Sequence, residues 1–275
     1  MGLKIRKKAD TLIRRMIGPF SGGKRPGNIV MYHIGRCGSG VLASLLRQHK
    51  RIYWDGELYT PVFARWRDEN NGVETVKEFP EDPVKRLEKR MVLACSSFYG
   101  FEIKPFHHRL IRCPVETFIN NLDSLGFTHF IILDRRNRLR KIVSSVIAHE
   151  RTGIYHSAQG EKTALNQVAV DPDDVRIDFS AKPLLECLSD YDDQFDSLRN
   201  LLKTRNLLEL TYEDDIQDDP EKGYQRVCRF LEIEPQNVSV RLSRTNPFPL
   251  RDMIENFSEV EGALSGTPYE WMLKD

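Results

Sequence analysis

The run from Asn28 to Gln48, NIVMYHIGRCGSGVLASLLRQ, constrains this chain more than any other stretch. Ile29 to Ile34 is an apolar, β-branched segment of the kind that forms a buried strand. Gly35-Arg36-Cys37-Gly38-Ser39-Gly40 follows as a glycine-rich turn, and Val41 to Leu46 continues as an apolar helix. A strand that enters a helix through such a turn gathers backbone N–H groups and the positive end of the helix dipole at one point, which is how a backbone cradles phosphate. The spacing of Gly35 and Gly40 fits the opening of a Walker A loop. However, Val41 and Leu42 stand where an NTPase carries Lys and Ser or Thr, so the lysine for the β/γ-phosphates and the hydroxyl for Mg²⁺ are both missing. The turn suits a phosphate-bearing nucleotide other than Mg-ATP. Glycines at a strand-to-helix turn also serve sterics alone, and a second segment has to decide.

That segment is Thr128 to His156, THFIILDRRNRLRKIVSSVIAHERTGIYH. His129 to Leu133 is a short apolar strand. Asp134 to Arg140 carries Arg135, Arg136, Arg138 and Arg140, and Ile142, Val143, Val146 and Ile147 recur at helical spacing. Arginines at the carboxyl end of a strand lie where open α/β sheets bind ligands, and guanidinium forks match phosphate oxygens. Arg138, Arg140 and Lys141 are expected on a solvated helix face. Arg136, with Ser144 eight residues on, is expected to bind an anion.

Both segments resemble the nucleotide-binding motifs of sulfotransferases that use 3′-phosphoadenosine 5′-phosphosulfate (PAPS), and most of all those of bacterial carbohydrate sulfotransferases of the nodulation-factor type. The likeness extends from about Asn28 to the C-terminus. It includes Leu210-Thr211-Tyr212-Glu213-Asp214 with Asp219-Pro220-Glu221, and the tail from Thr245-Asn246-Pro247 through Ile254-Glu255-Asn256-Phe257 to Trp271. The resemblance implies a P-loop-type α/β fold, PAPS as sulfuryl donor, and no metal requirement. It implies that Arg36, Cys37, Gly38, Ser39 and Gly40 grip the 5′-phosphosulfate, and that Arg136 and Ser144 grip the 3′-phosphate. Cys37 and Gly40 depart from the hydroxyl residues usual in that loop. Each lost hydrogen bond to a charged group is worth roughly 1.5–3 kcal/mol.

Sulfuryl transfer moves an electron-poor SO₃ in line between two oxygens, as in phosphoryl transfer. The leaving oxygen needs donors, for which Arg36, Ser39 and the loop N–H groups are candidates, and the incoming hydroxyl needs a base. Glu57 is the expected base and Asp55 the fallback. Both follow the cradle helix among aromatics that desolvate a carboxylate, and a glutamate serves in this region in the families resembled. An acid that merely caps a helix is the plain alternative. Lys104, at the end of the strand Phe98 to Lys104, is expected to neutralise the transferring group, and His107 or His108 is a candidate second base. No ligands lie at zinc spacing. The five cysteines, Cys37, Cys95, Cys113, Cys187 and Cys228, form no C-x-x-C pair and point to a reducing compartment. Cys37, at a helix N-terminus beside Arg36, is a candidate for a depressed pKa.

The alternation of patterns predicts strand 29–34, helix 39–48, an irregular acceptor-shaping stretch 52–82, helix 83–94, strand 98–104 and helix 115–125. Strand 129–133, helix 137–151, a lid-like loop 153–181, helix 182–204, strand 206–211 and helix 219–231 follow. This is an α/β chain with a mostly parallel sheet flanked by helices. Residues 28–275 are expected to form a single sulfotransferase-like domain, preceded by a distinct segment 1–27. In that segment Lys4, Arg6, Lys7, Lys8, Arg14, Arg15, Lys24 and Arg25 face Asp10 alone. An amphipathic helix there would suit an anionic membrane surface or would pack on the core. No run approaches the roughly eighteen apolar residues of a membrane span, so a cytoplasmic protein is expected, with peripheral membrane contact through that segment. A net charge of +1 argues against a general nucleic-acid partner. The expected activity is transfer of a sulfuryl group from PAPS to a carbohydrate or glycolipid hydroxyl. A non-catalytic 3′-phosphonucleotide-binding relative and a degenerate P-loop kinase or NTPase are the alternatives.

Overall fold

A computed structural model describes residues 25–60, 81–152, 157–160, 163–178 and 180–274. Five parallel strands form the central sheet: β1 (Asn28–His33), β2 (Ile52–Glu57), β3 (Phe98–Ile103), β4 (Phe127–Asp134) and β5 (Leu207–Thr211). They are ordered β2-β3-β1-β4-β5. Parallel neighbours require crossovers. These run through α1 (Ser39–Leu46), α2 (Pro83–Met91), α3 (Pro105–Leu110), α4 (Val115–Ser124), α5 (Arg138–Ile147) and α6 (Leu184–Leu202), and α7 (Tyr212–Asp215) and α8 (Pro220–Phe230) follow β5. The fold is the helix-flanked parallel α/β sheet that the alternating patterns predict. β1 and β3 are buried along their whole length, which explains their near-continuous apolar sequences: strands covered on both faces do not alternate.

The order places β1 in the middle and gives the sheet a switch point. β1 connects through α1 toward β2 on one side, while its neighbour β4 connects toward β5 on the other. The crevice opened by such divergent connections, beyond the carboxyl ends of the strands, is where α/β sheets bind ligands. Residues 34–38 and 135–137 meet there.

Several expectations need correction. Residues 52–57 are the edge strand β2 rather than part of an irregular stretch, and their alternating burial suits an edge. The rest of the expected acceptor-shaping stretch, 61–80, lies outside the described residues, as do 1–24, on which the amphipathic-helix expectation falls. The described parts of the expected lid are tied down. Residues 157–158 pair antiparallel with Leu242–Ser243, Val168 bridges Ile254, and Val175–Ile177 forms a hairpin with Ser180–Lys182. The cationic face of α5 is not solvated. Arg138 and Lys141 are 5% and 1% exposed, because the 175–182 hairpin and α6 cover that side. Arg138 ion-pairs with Asp134 and Asp192, and Lys141 with Asp178, while the Lys141 ammonium also donates to the Tyr191 hydroxyl.

Gly38 begins α1 at φ 77°, and a Cβ there would lie 2.4 Å from Ile216 Cγ2. The glycine thus serves both the left-handed turn and the close packing of the segment after β5. Gly38→Ala is expected to destabilise the protein by roughly 1–3 kcal/mol through overpacking and backbone strain. A urea unfolding midpoint equal to wild type would refute that packing role.

Candidate functional site

Three neighbouring strands deliver ionisable side chains to one face of the sheet at its carboxyl edge. Met31 pairs in register with Glu102, so alternation puts His33, two residues on, on the face that Glu102 occupies. β2 joins this face through an irregularity. Trp54 pairs with Gly100, but Glu57 pairs with Glu102, so three steps on β2 match two on β3. The extra residue is absorbed at Gly56, with φ 80°. Such bulges re-aim side chains. Without this one, Glu57 would point away from Trp54 and Glu102.

The result is a compact charge system. Lys104 Nζ donates to Glu57 at 2.8 and 2.9 Å, and the Thr60 hydroxyl donates to Glu57 Oε2 at 2.5 Å. The Lys104 backbone N–H donates to His107 Nδ1 (3.1 Å), so the neutral ring carries its proton on Nε2, which faces Thr60 Oγ1 at 2.9 Å. His107, Thr60 and Glu57 are therefore linked in one chain. Burial, with the Lys104 charge next, holds the His107 imidazole well below its ordinary pKa. Burial alone would raise the Glu57 carboxyl, but the charge of Lys104 and the bonds from Lys104 and Thr60 outweigh it and hold the group below the usual carboxylate range. Glu57 keeps 28% of its side chain accessible, enough for a ligand to touch.

Glu102 is the opposite case. It is 3% exposed and accepts from Trp54 Nε1 at 2.8 Å, while the Arg47 guanidinium lies 3.9 Å away. Burial, then the charge of Glu57, pushes its carboxyl up to about 7. His33 is fully buried. Its Nδ1 accepts the Gly35 N–H at 3.1 Å, and its Nε2 lies 3.5 Å from Glu102 and 3.8 Å from Glu57. Burial lowers its pKa to about 3, so it stays neutral.

The other predicted residues lie on or near the glycine turn and the start of α5. Arg36 has φ 52°, a left-handed conformation rarely taken by a residue other than glycine. Buried Arg135 holds its carbonyl at 2.7 Å while stacking on Tyr212. This sends the Arg36 side chain across the crevice, where Nε donates to Ser144 Oγ (2.9 Å) and Nη2 to Thr245 (2.7 Å). Asn246 donates to the same Ser144 oxygen. Arg140 holds the carbonyls of Asn246 and Phe248, and electrostatically it feels both Arg135 and Arg244. Ser144 therefore meets Arg36. Arg136 instead forms a bidentate pair with exposed Asp214, at 2.5 and 2.8 Å. Ser39 and Cys37 are buried in the turn. Cys37 does not have the depressed pKa expected of it, because burial pushes the thiol up to about 11.

Asp55 is committed to a bidentate pair with Arg90 and accepts from Tyr99. His108 donates to the Cys113 carbonyl and packs on Tyr32 and Phe118. These are structural roles. His33, Glu102, Thr60 and Arg135 join the site without having been singled out from sequence. The available signal was a charged or imidazole residue near the end of an otherwise apolar strand, in NIVMYH and FYGFEI.

No protein-family model matches the chain, and no curated protein matches it. Among solved structures, the crystal structure of a sulfotransferase from Alicyclobacillus acidocaldarius is similar at a TM-score of 0.46 and 13% identity, over 90% of this chain and 94% of that one. Among the described residues no helix is long and apolar enough to cross a membrane.

A raised carboxyl pKa links stability to pH. Between the unfolded value near 4.5 and the folded value near 7, the folded chain holds a proton on Glu102 that the unfolded chain releases. The stability this group contributes is therefore fully present below about 4.5 and is lost as pH rises toward about 7. Glu102→Gln removes that dependence. Unfolding free energies of wild type minus variant should fall between those two pH values, and a flat difference would contradict the assignment.

Proposed function

We propose that this chain is a PAPS-dependent sulfotransferase acting on a carbohydrate or glycolipid hydroxyl. The observation that carries the proposal is the ion pair of Glu57 with Lys104, a carboxylate and a cation side by side at the rim of a glycine turn. Lys104 also runs past the turn itself: a Cβ on Gly35 would lie 3.6 Å from its Cε. A cation beside the turn suits the sulfuryl oxygens, and an ionised carboxylate beside that cation suits the acceptor hydroxyl.

In this proposal the turn at Gly35–Gly40 and the N-terminus of α1 hold the 5′-phosphosulfate. Ser144 and Arg136 serve the 3′-phosphate, and Arg36, expected to grip the 5′-phosphosulfate, joins them because its side chain already reaches Ser144. Arg136 reaches it by leaving Asp214, an exposed pair of the kind worth about 1 kcal/mol or less. During transfer the acceptor oxygen forms a bond to sulfur and its proton passes to Glu57. The bond from sulfur to the phosphate oxygen breaks, and its electron pair leaves on that oxygen. When Lys104 shifts from Glu57 to the incoming sulfuryl group, the carboxylate loses the partner that most strongly suppresses its basicity. Donor arrival thereby switches on the base. The acceptor hydroxyl is presented to Glu57, whose side chain stays partly accessible. In this proposal, residues 28–275 work as one domain, in the cytoplasm. The basic segment 1–27 provides peripheral contact with a membrane that carries the glycolipid.

The proposal is tested by incubating the chain with sulfur-labelled PAPS and a panel of oligosaccharides and glycolipids. Label is expected in an acceptor without added divalent metal. Glu57→Gln should reduce turnover by at least about 100-fold, the low end of what general-base removal costs, while leaving donor affinity within about twofold. Arg136→Ala and Ser144→Ala should each raise the donor KM roughly tenfold or more, in line with a lost hydrogen bond to a charged group. Full activity in Glu57→Gln would remove it as the base, and unchanged donor KM in both latter variants would remove the 3′-phosphate assignment.

A further inference from the structure

Glu102 and His33 have no part in the scheme above, yet both are almost fully buried beside Glu57. A charged group is not left in such a place without a partner. Glu102 Oε1 accepts from Trp54, whereas Oε2 faces His33 Nε2 at 3.5 Å. That nitrogen is buried, makes no hydrogen bond among the described residues, and is aimed between Glu102 and Glu57.

A divalent metal is one candidate occupant, since one atom each from His33, Glu57 and Glu102 lie within 4.8 Å of one another. The tautomer argues against it. The Gly35 N–H can only donate, so His33 Nδ1 must present a lone pair to it, and the single proton of the neutral ring then sits on Nε2. An Nε2–H cannot ligate a metal. Lys104 already brings a positive charge to Glu57. What fits the space between the two carboxyl groups is a proton.

We infer that Glu57, His33 and Glu102 form one proton-sharing unit, in which His33 Nε2–H is held between the two carboxyl groups and Glu102 carries the proton that Glu57 lacks. Glu102 is thus a positioning residue for the proposed base, and this role rests on the sulfotransferase proposal. Keeping one proton on the pair spares the buried face a second negative charge while Glu57 is ionised. When Glu57 takes the acceptor's proton the pair holds two, and one passes to water from Glu57, the accessible carboxyl of the pair, which restores the ionised base and leaves a single proton on Glu102. The charged and titratable groups around Glu102 are Glu57 from β2, Arg47 from the end of α1, His33 from β1 and Lys104 from the end of β3. Glu102 and Glu57 therefore titrate as a coupled pair.

The test is side-chain NMR of the intact chain, following ¹³C-labelled glutamate carboxyls and ¹⁵N-labelled imidazoles across pH without donor or acceptor. Wild type is compared with Glu57→Gln and Glu102→Gln. His33 should stay neutral with its proton on Nε2 between about pH 5 and pH 8, the range over which an ordinary histidine changes charge. One glutamate carboxyl should titrate near 7, vanish in Glu102→Gln, and move to lower pH in Glu57→Gln. Should Glu102→Gln fail to fold, the shift in Glu57→Gln decides by itself. The inference is overturned by a Glu102 midpoint at the ordinary value, by a midpoint indifferent to Glu57→Gln, or by a proton on Nδ1. It is also overturned if added Zn²⁺ shifts His33 Nε2 together with both carboxyls. These signals need no substrate. The expected titration with no sulfuryl transfer would therefore sink the proposed function and leave the proton sharing intact.

Discussion

Parallel pairing of β1 with β3 on one side and β4 on the other is the constraint on which the site depends. It buries the strand on both faces and fixes its register. The last residue of β1 and the turn after it are then delivered to a set point on the sheet edge. His33 lands on the face that holds Glu102, the Gly35 N–H caps the imidazole from behind, and the turn closes against Ile216 and Tyr212. The same backbone donor that fixes the imidazole tautomer belongs to the turn proposed to hold phosphate. A shift of one residue in this register would exchange the two faces of the strand and dismantle both features.

Around this frame the charges are arranged by sign and depth. On one side of the crevice Arg36, Arg135 and Arg140 converge with Ser144 and Asn246: Arg36 donates to the Ser144 hydroxyl, Arg135 to the Arg36 carbonyl and Arg140 to the Phe248 carbonyl. On the other side each cation has an acid: Lys104 with Glu57, Lys141 with Asp178, and Arg138 with Asp134 and Asp192. Breaking a buried pair by removing one partner costs about 3–5 kcal/mol, so Lys141 and Asp178 hold the 175–182 hairpin down on α5. The two groups of charges meet at Gly35, where a Cβ would lie 3.6 Å from Lys104 Cε and 4.0 Å from Lys141 Cε.

Much of the frame was legible from sequence because it follows from local pattern. Apolar runs give β1, β3 and β4, the glycines give the turn after β1, and helical spacing gives α5. What escaped depends on contacts distant along the chain. Arg138 and Lys141 lie on the polar side of an amphipathic helix, and nothing local reveals that α6 and the 175–182 hairpin will cover it. The bulge at Gly56 turns Glu57 toward Glu102, and a single extra residue leaves no periodic trace in so short a strand. Ser144 is engaged by Arg36 and Arg136 by Asp214, contacts that the spacing of Arg136 and Ser144 along the chain does not announce. Spacing fixes which residues share a helix end, and long, flexible side chains then choose among nearby partners.

The central claim is that this crevice recognises a nucleotide by its 3′-phosphate. Calorimetric titration of the wild-type chain with adenosine 3′,5′-bisphosphate, 5′-AMP and Mg-ATP tests it most directly. The account predicts that the bisphosphate binds without Mg²⁺ and at least about tenfold more tightly than 5′-AMP, the equivalent of one charge-assisted hydrogen bond. Equal affinity for the bisphosphate and 5′-AMP, or a Mg²⁺-dependent preference for ATP, would contradict it.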